Sequence, residues 1–242
     1  MKKKQLKQYL NKEWKAARQS LKGFVDEGEK EALHRFRVQV KKLRAFITLA
    51  GKTSAAKGLR KDFSPVRDIF QKAGTIRDAQ LHIALGKEQK AGRDFIAKQQ
   101  RLLYENIRRF RLKGKSYLKR TNKSHKQVDH HVKPLQDKAI RNYYNNQLHW
   151  VSENISGSTA LLHPCRKRLK VLIYDYKFAG KVLNQDIDKD YLKTLEKSIG
   201  DWHDNCLSCR LFPALQQREQ DLLDKVHNLS ENFYNRATGK AS

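Results

Sequence analysis

Acidic residues are scarce in this 242-residue chain: 25 Asp and Glu stand against 52 Lys and Arg, leaving a formal net charge of +27. Glycine and proline are scarce too, at 12 and 4. That is about half their usual joint share, so few turns are available and the elements between them are long. A remainder rich in Leu, Lys and Ala favours helix over strand. Three cysteines are too few for a disulfide framework and fit a reducing compartment. No apolar run approaches the ~18 residues of a membrane span. The basic start MKKKQLKQYL lacks the apolar core of a secretory signal. What is present argues against a disordered basic tail: 38% of residues are hydrophobic, with 3 Trp, 9 Tyr and 10 Phe, enough to build a core. The expectation is an all-α, cytoplasmic protein with no membrane segment.

Self-repulsion at this charge opposes folding unless a core or a bound polyanion offsets it. The cations are unevenly placed. Residues 2–22 hold eight Lys/Arg and one acid, Glu13, and the span from Arg108 to Lys126 holds nine with no Asp or Glu. Of the 52 cations, 33 are Lys and 19 are Arg. Lysine meets phosphate as a point charge, whereas base edges are read mostly by arginine forks, so this balance points to phosphates rather than to nucleotide sequence. A generally basic, solvated surface is the competing reading of the charge alone.

Two blocks recur in order. Residues 32–47 read ALHRFRVQVKKLRAFI and residues 161–176 read LLHPCRKRLKVLIYDY. Aligning His34 with His163 places Arg37 on Arg166, Lys41 on Lys170 and Leu43 on Leu172. Further on, Gly74-Thr75-Ile76-Arg77-Asp78 matches Gly200-Asp201-Trp202-His203-Asp204. The His-to-Asp separations are 44 and 41 residues, which predicts an internal duplication. At 100° per residue, His34, Arg37, Lys41 and Arg44 fall within an arc of about 80°, beside an apolar arc of about 60° formed by Phe36, Val40, Leu43 and Ile47. The second copy repeats the plan, with His163, Arg166, Lys170 and Lys177 on one side and Cys165, Leu169, Leu172 and Tyr176 on the other. Pro164 is expected in that helix's first turn.

Stacked cations at i,i+4 repel one another, so a stripe that occurs twice points to an anion that compensates it. Asp78 and Asp204 read as supports that hold neighbouring basic side chains in place, not as catalytic acids. Arg77 and His203 are the candidate ligand contacts of this second block. Arg67 and Lys193, each seven residues before the glycine, add a cation roughly two turns up the same helix.

These residues resemble the CHAD family, the conserved-histidine α-helical domain. Its first copy is matched by His34, Arg37, Lys41, Lys42 and Arg44, and its Arg-Asp element by Arg77 and Asp78. Its second copy is matched by His163, Arg166, Lys170 and Tyr174. Ile173 and Val171 stand where that pattern carries further cations; Lys167 and Lys177 supply charge nearby. The resemblance implies two pseudo-symmetric helical bundles enclosing a central basic groove or pore. It also implies a non-catalytic protein that binds inorganic polyphosphate and associates with polyphosphate granules. The Glu-x-Glu-x-Lys signature of the triphosphate-tunnel enzymes fused to some CHAD domains is absent; Glu27-Gly28-Glu29-Lys30-Glu31 has Glu where Lys is needed.

The expected division is 1–153 and 154–242, with a turn-rich hinge at Asn154-Ile155-Ser156-Gly157-Ser158-Thr159. Residues 113–133 read as a helix running into a loop, and the end from Arg236 as frayed. His125, His130 and His131 read as solvent-facing. His203-x-x-Cys206-x-x-Cys209 lacks a second ligand pair, so no metal and no cofactor are expected. Weak nonspecific binding of RNA or DNA is the alternative function, although no zinc-finger, basic-zipper, RRM or KH pattern is present. An enzyme is disfavoured because the stripes offer cations without metal-holding carboxylates or a nucleophile paired with a base.

Overall fold

A computed structural model describes residues 2–54 and 58–239. Among them are ten α-helices and no strand, so the chain is all-α. No helix among the described residues is long and apolar enough to cross a membrane. The chain divides into two compact units, Met1–Leu135 and Gln136–Ser242.

The first unit comprises α1 (Lys3–Glu27), α2 (Lys30–Thr53), α3 (Leu59–Glu88), α4 (Arg93–Leu112) and α5 (Gly114–His131). Along α1, Leu6, Leu10, Trp14, Ala17, Leu21 and Phe24 recur every three or four residues, and all are buried. This is the apolar stripe of an amphipathic helix, and it packs against α2 and α5. The basic run of residues 2–22 occupies the other faces of this helix. Gly28 ends α1 at φ +74°, a left-handed conformation that favours glycine. Arg111 of α4 then satisfies two of the helix's last carbonyls, donating to Val25 O at 2.9 Å and Asp26 O at 2.7 Å. Within α2, Phe36, Val40, Leu43 and Ile47 are all buried, as their predicted arc requires. They face a core shared with Phe63, Val66, Ile69 and Ile76 of α3.

Residues 113–133 depart from expectation: Gly114–His131 is helical throughout. Its buried side is Tyr117, Thr121, Ser124 and Val128, a helical spacing hidden by two hydroxyl residues. Both hydroxyls are satisfied, Thr121 donating to Tyr117 O at 2.8 Å and Ser124 to Asp62 O at 2.5 Å. His125 is likewise not solvent-facing. Its ring stacks on Trp14 with centroids 5.2 Å apart, and its Nε2 meets Asn11 Oδ1 at 2.8 Å. His130 and His131 are exposed, and His131 Nδ1 meets Asp62 Oδ2 at 2.6 Å. Several cations of the two basic runs therefore have structural partners: Lys7 pairs with Asp129 at 2.6 Å and Arg120 with Asp68 at 3.2 Å.

The second unit comprises α6 (Asp137–Asn154), α7 (Thr159–Ala179), α8 (Lys189–Cys209), α9 (Glu219–Ser230) and α10 (Phe233–Ala237), with 3-10 turns at Gly180–Val182 and Pro213–Arg218. The division between units falls ahead of the expected hinge. Ile140, Tyr144, Leu148 and Val151 of α6 are buried, and α6 packs on α7. Within the expected hinge, residues 155–158 are the turn joining these two helices inside the second unit. Ser158 caps α7, accepting from the Ala160 N–H at 3.3 Å. The helix thus starts a turn earlier than expected and places Pro164 in its second turn, where proline leaves the Ala160 carbonyl without its i+4 donor. Leu162, Cys165, Leu169 and Leu172 of α7 meet Leu192, Leu195, Ile199 and Trp202 of α8 in the core. At the chain end, Ala237 and Thr238 are buried, so packing extends past Arg236; residues 240–242 lie outside the described residues.

Candidate anion-binding stripes

In the first unit, α2 presents His34 and Arg44 exposed and Arg37 and Lys41 half-buried. The helix facing them, α3, contributes Phe70, Gly74, Arg77 and Asp78. The Arg37 guanidinium lies over the Phe70 ring, 4.4 Å from its centroid, and donates to Phe70 O at 3.0 Å. Arg44 stands 5.9 Å from the same ring, so two cations share one aromatic floor, a favourable electrostatic contact. A Cβ on Gly74 would come within 3.0 Å of Arg37 Nη1; glycine here leaves room for the guanidinium. Burial pulls the Arg37 pKa below its ordinary value, Asp78 opposes that fall and Arg77 adds to it. Arginine nevertheless keeps its charge at any physiological pH.

The second unit repeats the central contact. Arg166 of α7 lies over Gly200 of α8, where an added Cβ would stand 2.6 Å from its Cζ. The arginine-over-glycine contact thus recurs at the positions that the sequence alignment pairs. Here, however, the arginine is held by carboxylates. Its Nε meets Glu196 Oε1 at 2.8 Å and its Nη1 meets Asp204 Oδ1 at 3.6 Å. Lys170 Nζ reaches the same Glu196 oxygen at 3.0 Å. The rings of His163 and His203 lie side by side, with centroids 4.2 Å apart. Burial lowers the pKa of both. His203 and the cations Lys167, Arg166 and Lys170 lower His163 further, while Asp204 partly restores His203 against Arg166, Lys167 and Arg210.

The remaining candidate residues fall around these centres. Lys167 and Lys177 are exposed on α7, Tyr174 is half-buried there, and Arg77 is half-buried on α3. Arg67 is exposed and 3.4 Å from Ser64 Oγ. Lys193 is also exposed and pairs with Asp190 at 2.8 Å. Lys42 is engaged elsewhere, 3.4 Å from Glu13 of α1 and donating to Gln39 at 3.0 Å, with 15% of its side chain exposed. Asp204 Oδ1 lies 3.6 Å from Nη1 of Arg166, one of the cations of the second stripe. Cys206 Sγ donates to Glu219 Oε1 at 3.3 Å, and Asn205 donates to Cys209 Sγ at 3.5 Å. No group of three His, Cys, Asp or Glu among the described residues could hold a metal ion.

Three features of these centres escaped the sequence reading: the arginine seats at Gly74 and Gly200, the Phe70 floor, and Glu196. A signal for the last two was present. Phe70 and Glu196 each lie four residues before the aligned glycine, one turn up the same helix face and therefore beside the arginine.

A search of curated proteins gave no match. The family model for the CHAD domain matches residues 8–213, a span that takes in both histidine blocks, both glycines and Glu196. The chain belongs to the CHAD domain family.

Proposed function

We propose that this protein binds inorganic polyphosphate through the cationic stripes of α2 and α7, without catalysing a reaction on it, and associates with polyphosphate granules. The observation that carries this reading is the arginine seated over glycine beside a row of cations, at matching positions in each unit. An arginine held this way points its remaining donors in a fixed direction, which suits the oxygens of a phosphate. Around it, Lys41, Arg44 and Arg77 in the first unit and Lys167, Lys170 and Lys177 in the second add positive potential, and His34, His163 and His203 stand beside them with ring nitrogens that can meet phosphate oxygens. A linear polyanion meets such a row at several points without any base-edge readout.

Binding of long polyphosphate by the full chain tests the proposal. Replacing His34, Arg37, Lys41 and Arg44 together by Glu should weaken binding by about a hundredfold or more, since charge-assisted hydrogen bonds contribute ~1.5–3 kcal/mol each. Affinity should also fall steeply with added salt, by analogy with counterion release from nucleic acids. Undiminished binding by the reversed variant, or displacement of polyphosphate by modest RNA or DNA, would overturn the reading. Phosphate release from polyphosphate in the presence of Mg²⁺ would overturn its non-catalytic part.

A further inference from the structure

The two stripes share the arginine-over-glycine contact and differ in the charge placed beside it. In the first unit, the position one turn before the glycine is Phe70, which supports Arg37 and Arg44 without a negative charge of its own. In the second unit, the same position is Glu196. A single carboxylate oxygen there accepts from both Arg166 at 2.8 Å and Lys170 at 3.0 Å. The carboxylate is only 18% exposed, and its two partners are 19% and 27% exposed. Two cations converging on one oxygen is the arrangement a phosphate oxygen would receive, and Glu196 already occupies it.

Resting on the reading of these stripes as polyphosphate contacts, we propose that Glu196 is a built-in competitor for phosphate in the second unit. A phosphate enters that unit's seat by displacing the Glu196 carboxylate from Arg166 and Lys170, whereas at the matching position of the first unit Phe70 sets no carboxylate against Arg37. The first unit is then the stronger contact. The second discriminates against weakly charged anions, because a single phosphate gains little from displacing an equally placed carboxylate. A chain with several charges close together outbids it. Phe70 and Glu196 set this difference, since the arginine and its glycine are common to both units.

The test is to titrate the full chain and its E196Q, E196D and F70E variants with tripolyphosphate and with long polyphosphate, at several salt concentrations. Glutamine keeps a hydrogen-bond acceptor of the same size while removing the charge. E196Q should therefore tighten tripolyphosphate binding by about fivefold, the scale of one partly buried ion pair. It should also steepen the salt dependence by releasing two cations to the ligand. E196D keeps the competing charge and should stay nearer the parent chain. F70E places a carboxylate beside Arg37 and Arg44 and should weaken binding by a similar factor, provided its far-UV spectrum and melting transition match the parent. If the parent chain binds polyphosphate and E196Q binds equally or more weakly, Glu196 is a positioning residue and this inference fails alone. If neither the parent nor E196Q binds, the functional reading fails with it. Binding confined to E196Q would support the competitor and count against polyphosphate as the parent chain's ligand.

Discussion

Replacing Gly200 by alanine separates stability from binding, because the same methyl group acts in opposite directions on the two. Gly200 lies inside α8, where glycine is ~1 kcal/mol less favourable than alanine. Against this gain, the new Cβ would stand 2.6 Å from Cζ of Arg166, a distance that neither atom tolerates. The guanidinium is the movable partner, so it leaves its seat and takes its bonds to Glu196 and Asp204 with it. Arg166 and Glu196 are 19% and 18% exposed, and losing such a pair costs on the order of 1 kcal/mol, while the more exposed Asp204 contact adds little. The two effects nearly cancel, so the urea unfolding midpoint of G200A should lie close to that of the parent chain. Polyphosphate binding should nonetheless weaken by about tenfold, the scale of one charge-assisted bond to phosphate. In an R166A background the methyl group has nothing to displace. There G200A should raise stability by the full ~1 kcal/mol of helix propensity and leave affinity unchanged. At Gly74 the approach is 3.0 Å and to a terminal nitrogen, so G74A should weaken binding less. G200A that binds like the parent, or that unfolds ~3 kcal/mol more easily in both backgrounds, would refute the seat as the reason for the glycine.

Three further outcomes are expected. Asp175 is fully buried without a hydrogen-bond partner among the described residues, and burial holds its pKa well above the ordinary carboxylate value. Its native state therefore loses stability as pH rises above the unfolded value near ~4, by at most ~1.4 kcal/mol per pH unit; D175L should remove that loss, so that the two chains diverge in urea unfolding from pH 4 to 7. Parallel pH profiles would count against an ionisation penalty at this site. His163 and His203 both have lowered pKa values, so ligand-free stability should decline as pH falls below ~6.5, where the unfolded chain takes up protons first. A bound polyanion favours the imidazolium forms, so affinity should rise over the same window, and less steeply in H163N/H203N; identical slopes in isothermal titrations from pH 7.5 to 5.5 would exclude the pair as a contributor. Lys42 faces Glu13, whose side chain is 9% exposed, so K42A should cost roughly 3 kcal/mol by stranding a buried carboxylate. Its polyphosphate affinity should barely change, whereas a loss of about tenfold, the scale of one charge-assisted bond to phosphate, would return Lys42 to the stripe.

The fold was legible wherever the buried face is apolar. The three-four spacing in α1 and the adjacent apolar and basic arcs of α2 require nothing beyond a 3.6-residue period. It was illegible in α5, where Thr121 and Ser124 occupy buried positions and their hydroxyls bond backbone carbonyls. Hydrophobicity carries no trace of a core position filled by a satisfied polar group. The start of α7 was misplaced for a related reason: Ser158 is a turn former and also a helix cap, and composition alone does not separate the two uses. The boundary between units moved with it, because α6 buries its apolar face on the helix that follows.

The stripes themselves were legible because their residues lie on one helix, where spacing fixes the face. What modulates them was not, because it lies on a second helix whose register against the first depends on packing. Within α8 only its place four residues before the aligned glycine marks Glu196, and its neighbours Lys193 and Lys197 pair with Asp190 and Asp201 on an ordinary charged surface. Its role follows only from Gly200, which lets α7's arginine lie flat on α8 and brings the residue one turn earlier to the guanidinium. Once that contact is fixed, the four-residue offset makes the identity of positions 70 and 196 decisive: an aromatic ring leaves the stripe charged, and a carboxylate neutralises part of it. Two stripes built from matching histidines, arginines and lysines therefore differ in electrostatic strength through a residue outside both. Counting cations along α2 and α7 would rank their affinities by the wrong variable.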